Sequence, residues 1–145
     1  MMAKLKHNNL LITALCSLFL YGSAYAYECK GKLYDEPSFL DEKQELSIYD
    51  KVYLMIICKN LPRGNYELSV IWENPGGKVI RMDKQTFFVD EIGDRRSSFW
   101  LKLMKKGPIE RSFTNTDFDR ENYGKWRVVS YLQDEEIITK FFTMK

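Results

Sequence analysis

Alternation of apolar and polar side chains is the dominant pattern in this chain after position 45. In YELSVIWE, Tyr66, Leu68, Val70 and Trp72 share one side of an extended backbone, while Glu67, Ser69 and Glu73 share the other with Ile71 as the apolar exception. Successive strand side chains point to opposite faces, so this segment predicts a strand with one face in a core and one in water. KVYLMIIC differs: Val52, Leu54, Ile56 and Cys58 alternate with Tyr53, Met55 and Ile57, so both faces are apolar and the strand is expected to be central and covered.

Turn chemistry separates the runs. LPRGN carries Pro62 and Gly64, and ENPGGK carries Pro75 at the second position of a tight turn, with Gly76 or Gly77 supplying the positive φ of a type II turn. GKVIRM and KQTFFVD read as strand segments, EIGDRR as a polar loop, and SSFWLKLMKK as a strand with Phe99, Leu101 and Leu103 opposite Trp100 and Met104. From Lys106 to Tyr123 the alternation lapses, with one short helical turn expected to start at Thr116 or Asp117. It returns at Trp126, Val128 and Leu132, and again at Ile138, Phe142 and Met144, predicting a terminal hairpin with QDEE as its tip. Lys140 and Lys145 then fall on a strand read as a charged edge.

About seven short strands without a long amphipathic helix predict an all-β fold, an antiparallel β-sandwich. The spacing of Cys58 and Trp72 resembles the strand B Cys and strand C Trp of immunoglobulin-like and fibronectin-III-like domains. Gly124-Lys125-Trp126-Arg127-Val128 resembles the start of their strand F. The resemblance implies an immunoglobulin-like sandwich with Trp126 in place of the usual Tyr and Val128 in place of the second Cys. The sheet-bridging disulfide of those domains is therefore excluded here. A further echo links Gly64-Asn-Tyr-Glu-Leu to Gly124-Lys-Trp-Arg-Val, best read as two strands leaving turns with an inward aromatic.

Residues 1–26 stand outside this pattern. Lys4 and Lys6 precede the apolar LLITALCSLFLYG, and Ala24-Tyr25-Ala26 forms a small-residue cleavage motif, together predicting a secretory signal peptide. The apolar stretch falls short of the ~20 residues that span a bilayer, so no stable membrane span is expected after cleavage. Leu15 before Cys16 argues against lipidation. The expected mature chain, residues 27–145, forms one domain in the periplasm or outside the cell. It holds Cys29 and Cys58, an even pair predicted to form a disulfide in an oxidising compartment.

Removing the signal also removes two of the 22 basic residues and none of the 20 acidic ones, so the mature charges balance. A nucleic-acid partner is not expected without a basic excess. The single histidine, His7, leaves with the signal, which excludes His-based nucleophile pairs, a His general base and His-ligated metal sites from the mature chain. No nucleotide-loop motif occurs, and no cofactor or metal is expected. Asn115, Asp117, Asp119 and Glu121 recur at every second residue as in calcium loops, but Arg120 and Trp126 stand where such a loop needs Gly and Glu. Glu135-Glu136 read as solvated tip charges.

The expectation is a non-catalytic binding or accessory protein of the periplasm or cell envelope acting through protein–protein contacts, its partner another envelope or secreted protein. The alternative is a glycan-binding module using exposed rings. Trp100, Phe118 and Tyr123, whose positions the core pattern does not claim, are the candidate contact residues.

Overall fold

A computed structural model of the chain describes residues 26–104 and 118–145. Residues 1–25 of the predicted signal, with His7 and Cys16, lie outside the described residues, as do Asn115 and Asp117 of the calcium-like run.

Among the described residues the strands are β1 (Glu28–Tyr34), β2 (Glu45–Leu46), β3 (Lys51–Leu61), β4 (Gly64–Glu73), β5 (Val79–Val89), β6 (Gly93–Lys102), β7 (Gly124–Leu132) and β8 (Glu135–Met144), with one short helix, α1 (Phe118–Asn122), before β7. They form a three-stranded sheet of order β1-β3-β6 and a five-stranded sheet of order β2-β8-β7-β4-β5. The described residues form an all-β sandwich of eight strands. Two apolar-leaning segments, GKVIRM and KQTFFVD, form the single strand β5, and the last four residues of EIGDRR are already β6.

Inward positions of both sheets meet in one apolar core. Val52, Leu54 and Ile56 of β3, Leu68, Val70 and Trp72 of β4, and Phe99 and Leu101 of β6 are buried there. Trp126, Val128 and Leu132 of β7 join Ile138, Phe142 and Met144 of β8 on the same core. Trp72 and Trp126 are both fully buried, and Phe142 contacts both rings, edge-on to Trp72 and stacked on Trp126. As expected, β3 is the central strand of its sheet, with Met55 buried even on the outward face.

Cys29 stands directly opposite Cys58 in the antiparallel β1–β3 register, and the two sulfurs are bonded. The bridge therefore ties two strands of one sheet instead of spanning the core. Val128 packs in the core.

The glycine-led echo has a physical cause. Tyr66 Oη donates to the carbonyl of Pro62 at 2.8 Å, and Trp126 Nε1–H donates to the carbonyl of Asn122 at 2.7 Å. Each aromatic enters the core two residues into its strand and turns its polar atom back to the chain four residues upstream. Burying a ring while satisfying its polar atom is the common requirement. At Gly124 the φ of 125° and a would-be Cβ only 3.2 Å from Pro75 Cγ make glycine the fitting residue.

Three expectations change in detail. The positive φ in ENPGGK belongs to Gly77 (79°), one residue beyond the central Pro75-Gly76 pair, with Gly77 N–H donating to the Asn74 carbonyl; the turn is not type II. The hairpin tip is the Gln133-Asp134 pair, and Gln133 binds back to β4 through both amide atoms, at Glu67 N–H and the Asn65 carbonyl. β8 is also not the outermost strand, because the two-residue β2 pairs with it in parallel at Thr143–Met144. That parallel pair makes the larger sheet mixed. Lys140 and Lys145 instead form ion pairs with Glu42 and Glu45 of the β1–β3 connection.

Tyr27, just ahead of β1, donates its hydroxyl to Glu135 at the hairpin tip (2.6 Å). That hydrogen bond, with partial burial and the nearby carboxylate charge, pushes the phenol up to about 12 from its ordinary 10.0. The folded state thus favours the protonated phenol. The resulting stabilisation is complete below pH 10 and lost as pH rises towards 12. Replacing Tyr27 with Phe is expected to remove a phenol titration near pH 12 seen by ultraviolet absorbance and to flatten the stability profile over that interval.

Candidate interaction surface

Trp100 points outward from β6 and is 42 % exposed, while its neighbours Phe99 and Leu101 point into the core. Its ring is engaged by two cations: Lys51 Nζ from β3 lies 4.7 Å from the ring centre and the Arg81 guanidinium from β5 lies 4.6 Å away. Asp83 fixes Arg81 by accepting from Nε at 2.8 and 2.9 Å. β5 and β6 are edge strands of opposite sheets, so this cluster joins the two sheets along one rim. Cation–ring contacts of this kind are worth about 0.5–1 kcal/mol each at exposed sites.

Phe118 opens α1 and lies tilted against Tyr49, with ring centres 6.4 Å apart. It lines a cleft of about 670 Å³ together with Ile80, Lys102, Leu103, Met104 and Arg120. The position of α1 follows from β7. Asn122, itself buried, donates its side-chain amide to the Phe118 carbonyl (2.8 Å) and accepts the Trp126 indole on its own carbonyl, so the core tryptophan holds the helix that carries Phe118. Met104 and Phe118, the residues on either side of 105–117, both line this cleft.

Tyr123 is 43 % exposed between α1 and β7 and is not among the cleft-lining residues; neither is Trp100. Trp100 and the cleft are related through adjacent residues instead: Arg81 over the Trp100 ring follows Ile80 of the cleft wall, and Lys102 lies two positions along β6. Lys51 and Arg81 carried no local signal in the sequence. They reach Trp100 only through strand register and the meeting of the sheet edges.

Glu135 and Glu136 of QDEE have separate duties. Glu135 accepts from Tyr27, and Glu136 accepts from Thr139 Oγ1 at 2.5 Å. Among the described residues no cluster of three or more metal-ligating side chains occurs, and no helix is long and apolar enough to cross a membrane.

No protein-family model matches the chain, and comparison with curated proteins finds no match. Solved structures do resemble it. The β-glucosidase of Listeria innocua superposes with a TM-score of 0.53 at 12 % identity, over 81 % of this chain and 16 % of the enzyme. Its complex with isofagomine gives 0.52 with the same identity and coverage. A β-glucosidase of Erythrobacter marinus gives 0.50 at 11 % identity, over 83 % of this chain and 15 % of the enzyme. The chain thus spans about one sixth of the length of these enzymes, and at such identity the likeness concerns the fold alone.

Proposed function

We propose that this protein is an exported, non-catalytic binding module of the periplasm or cell exterior, acting through protein–protein contacts around Trp100 and the Phe118 cleft. One observation carries the reading: an exposed indole, flanked by Lys51 and an Asp83-braced Arg81, next to a partly apolar cleft. Trp and Arg are the side chains that most often concentrate binding energy at protein interfaces. Export is supported by the signal-like residues 1–26 and by the Cys29–Cys58 bridge, which belongs to oxidising compartments. The absence of any imidazole after His7 supports the non-catalytic part of the reading.

The test is chemical crosslinking in envelope extract with wild-type protein and a Trp100→Ala/Tyr123→Ala variant, partners being identified by mass spectrometry. Loss of a reproducible partner in the variant is expected. Identical partner sets reject this surface. A glycan array with the same pair addresses sugar stacking, and Trp100-dependent glycan binding would replace the protein-contact reading.

A further inference from the structure

The outward face of the three-stranded sheet carries a charge excess that the balanced mature chain conceals. Register and alternation place Glu28, Lys30, Lys32 and Tyr34 of β1 on this face, beside Lys51, Tyr53, Met55, Ile57 and Lys59 of β3 and Asp94, Arg96, Ser98, Trp100 and Lys102 of β6. That is six basic groups against two acidic ones. Glu28 is paired with Lys30, and Asp94 accepts from the Asn60 backbone. Among the described residues, no carboxylate pairs with Lys32, Lys59, Arg96 or Lys102.

A groove of about 220 Å³ lies within this face. Met55 and Ile57 are its apolar lining, and Glu28, Lys30, Lys32 and Lys59 are its charged lining. Met55 is only 8 % exposed, so the apolar part is a recessed floor among lysine side chains rather than a protruding wedge.

We infer that this groove docks an extended acidic polypeptide segment, with carboxylates facing Lys30, Lys32 and Lys59 and an apolar side chain resting on Met55 and Ile57. Charge complementarity selects an anion. The floor selects a ligand with apolar side chains between its charges, which a phosphate backbone does not supply. Its recessed shape disfavours a bilayer, which is entered by protruding apolar groups. The spacing also matches: same-face side chains of an extended chain recur about every 6.6–6.8 Å, the same repeat that separates Lys30 from Lys32. Peptides bound in extended form use this alternation for specificity. The inference rests on the reading of the protein as a protein-binding module and names the partner's chemistry at a second part of its surface.

The test is fluorescence anisotropy with the mature protein and labelled peptides of alternating Glu and Leu, of alternating Glu and Ser, and of alternating Lys and Leu. The Glu–Leu probe is expected to bind best, the Glu–Ser probe more weakly, and the Lys–Leu probe not at all. Raising salt from about 0.1 M to about 1 M, which shortens the Debye length from about 10 to about 3 Å, should weaken binding. Lys32→Glu/Lys59→Glu should weaken it by about tenfold, with Lys32→Gln/Lys59→Gln intermediate. Lys84→Glu/Lys125→Glu on the other sheet should leave it unchanged. Circular dichroism confirms that each variant is folded. Absence of Glu–Leu binding, equal binding by the groove variants, or binding to phosphatidylglycerol vesicles or single-stranded DNA in place of the peptide overturns the inference. If crosslinking still finds a Trp100-dependent partner when no acidic peptide binds, this inference falls alone.

Discussion

Replacing Trp126 with alanine is expected to destabilise the protein by about 3–5 kcal/mol, the usual cost of emptying a buried indole site. The ring is fully buried and stacks on Phe142 with centres 6.1 Å apart, so few neighbouring atoms are free to relax into the space. Its Nε1–H also satisfies the Asn122 carbonyl at 2.7 Å, and removing the donor leaves that acceptor without this partner. A phenylalanine there keeps much of the stacking and loses the hydrogen bond, so about 1–3 kcal/mol is expected. Urea unfolding followed by fluorescence separates the variants, with a difference below about 1 kcal/mol for alanine contradicting the assigned role. The effect reaches the surface as well. Trp126 anchors α1, so the alanine variant should alter the Phe118 cleft even under conditions where the sandwich remains folded.

Breaking the Cys29–Cys58 bridge is expected to have the second large effect. Chain-entropy reasoning for a loop of this size gives about 3.5 kcal/mol. The two residues are separated by 29 positions and face each other in register, so the bridge closes the whole β1–β3 connection at the start of the sandwich. For a chain of this length that corresponds to a fall in Tm of about 10–20 °C. Calorimetry of oxidised protein, reduced protein and a Cys29→Ala/Cys58→Ala variant reads it directly. Equal Tm values in all three would contradict it. Because β1 carries Lys30 and Lys32 and forms the outer edge of its sheet, reduction is also expected to weaken acidic-peptide binding.

The sandwich was legible because a two-residue period reports one buried face directly, as in Tyr66–Trp72, and because glycine and proline marked the turns between runs. β2 was not legible. Two residues carry no period, and Glu45 and Leu46 become a strand only by meeting Thr143 and Met144 from the far end of the chain. The same chain-end contacts turn β8 from an edge into an internal strand. Cys29 was recognisable as a partner for Cys58, whereas the register that makes them direct cross-strand neighbours appears only in the fold.

The candidate surface was less legible for a related reason. Exposure of Trp100 follows from its place opposite Phe99 and Leu101, but the cations over its ring come from β3 and β5. The basic groove is hidden more completely. Its lysines are scattered along two strands, each looks like an ordinary solvated residue locally, and acids elsewhere cancel them in the total charge. Antiparallel pairing gathers alternate residues of distant segments onto one face, and only that gathering creates the field and the apolar floor.

The proposed function is that of an exported, disulfide-closed recognition domain. Intact-mass spectrometry of the native protein recovered separately from cytosol, envelope and medium, with and without thiol alkylation, tests that claim most directly. The predicted species begins at Tyr27, lacks the two thiol hydrogens, resists alkylation and is found outside the cytosol. A cytosolic species that still carries residues 1–26 and takes up alkylating reagent at Cys29 and Cys58 would contradict it.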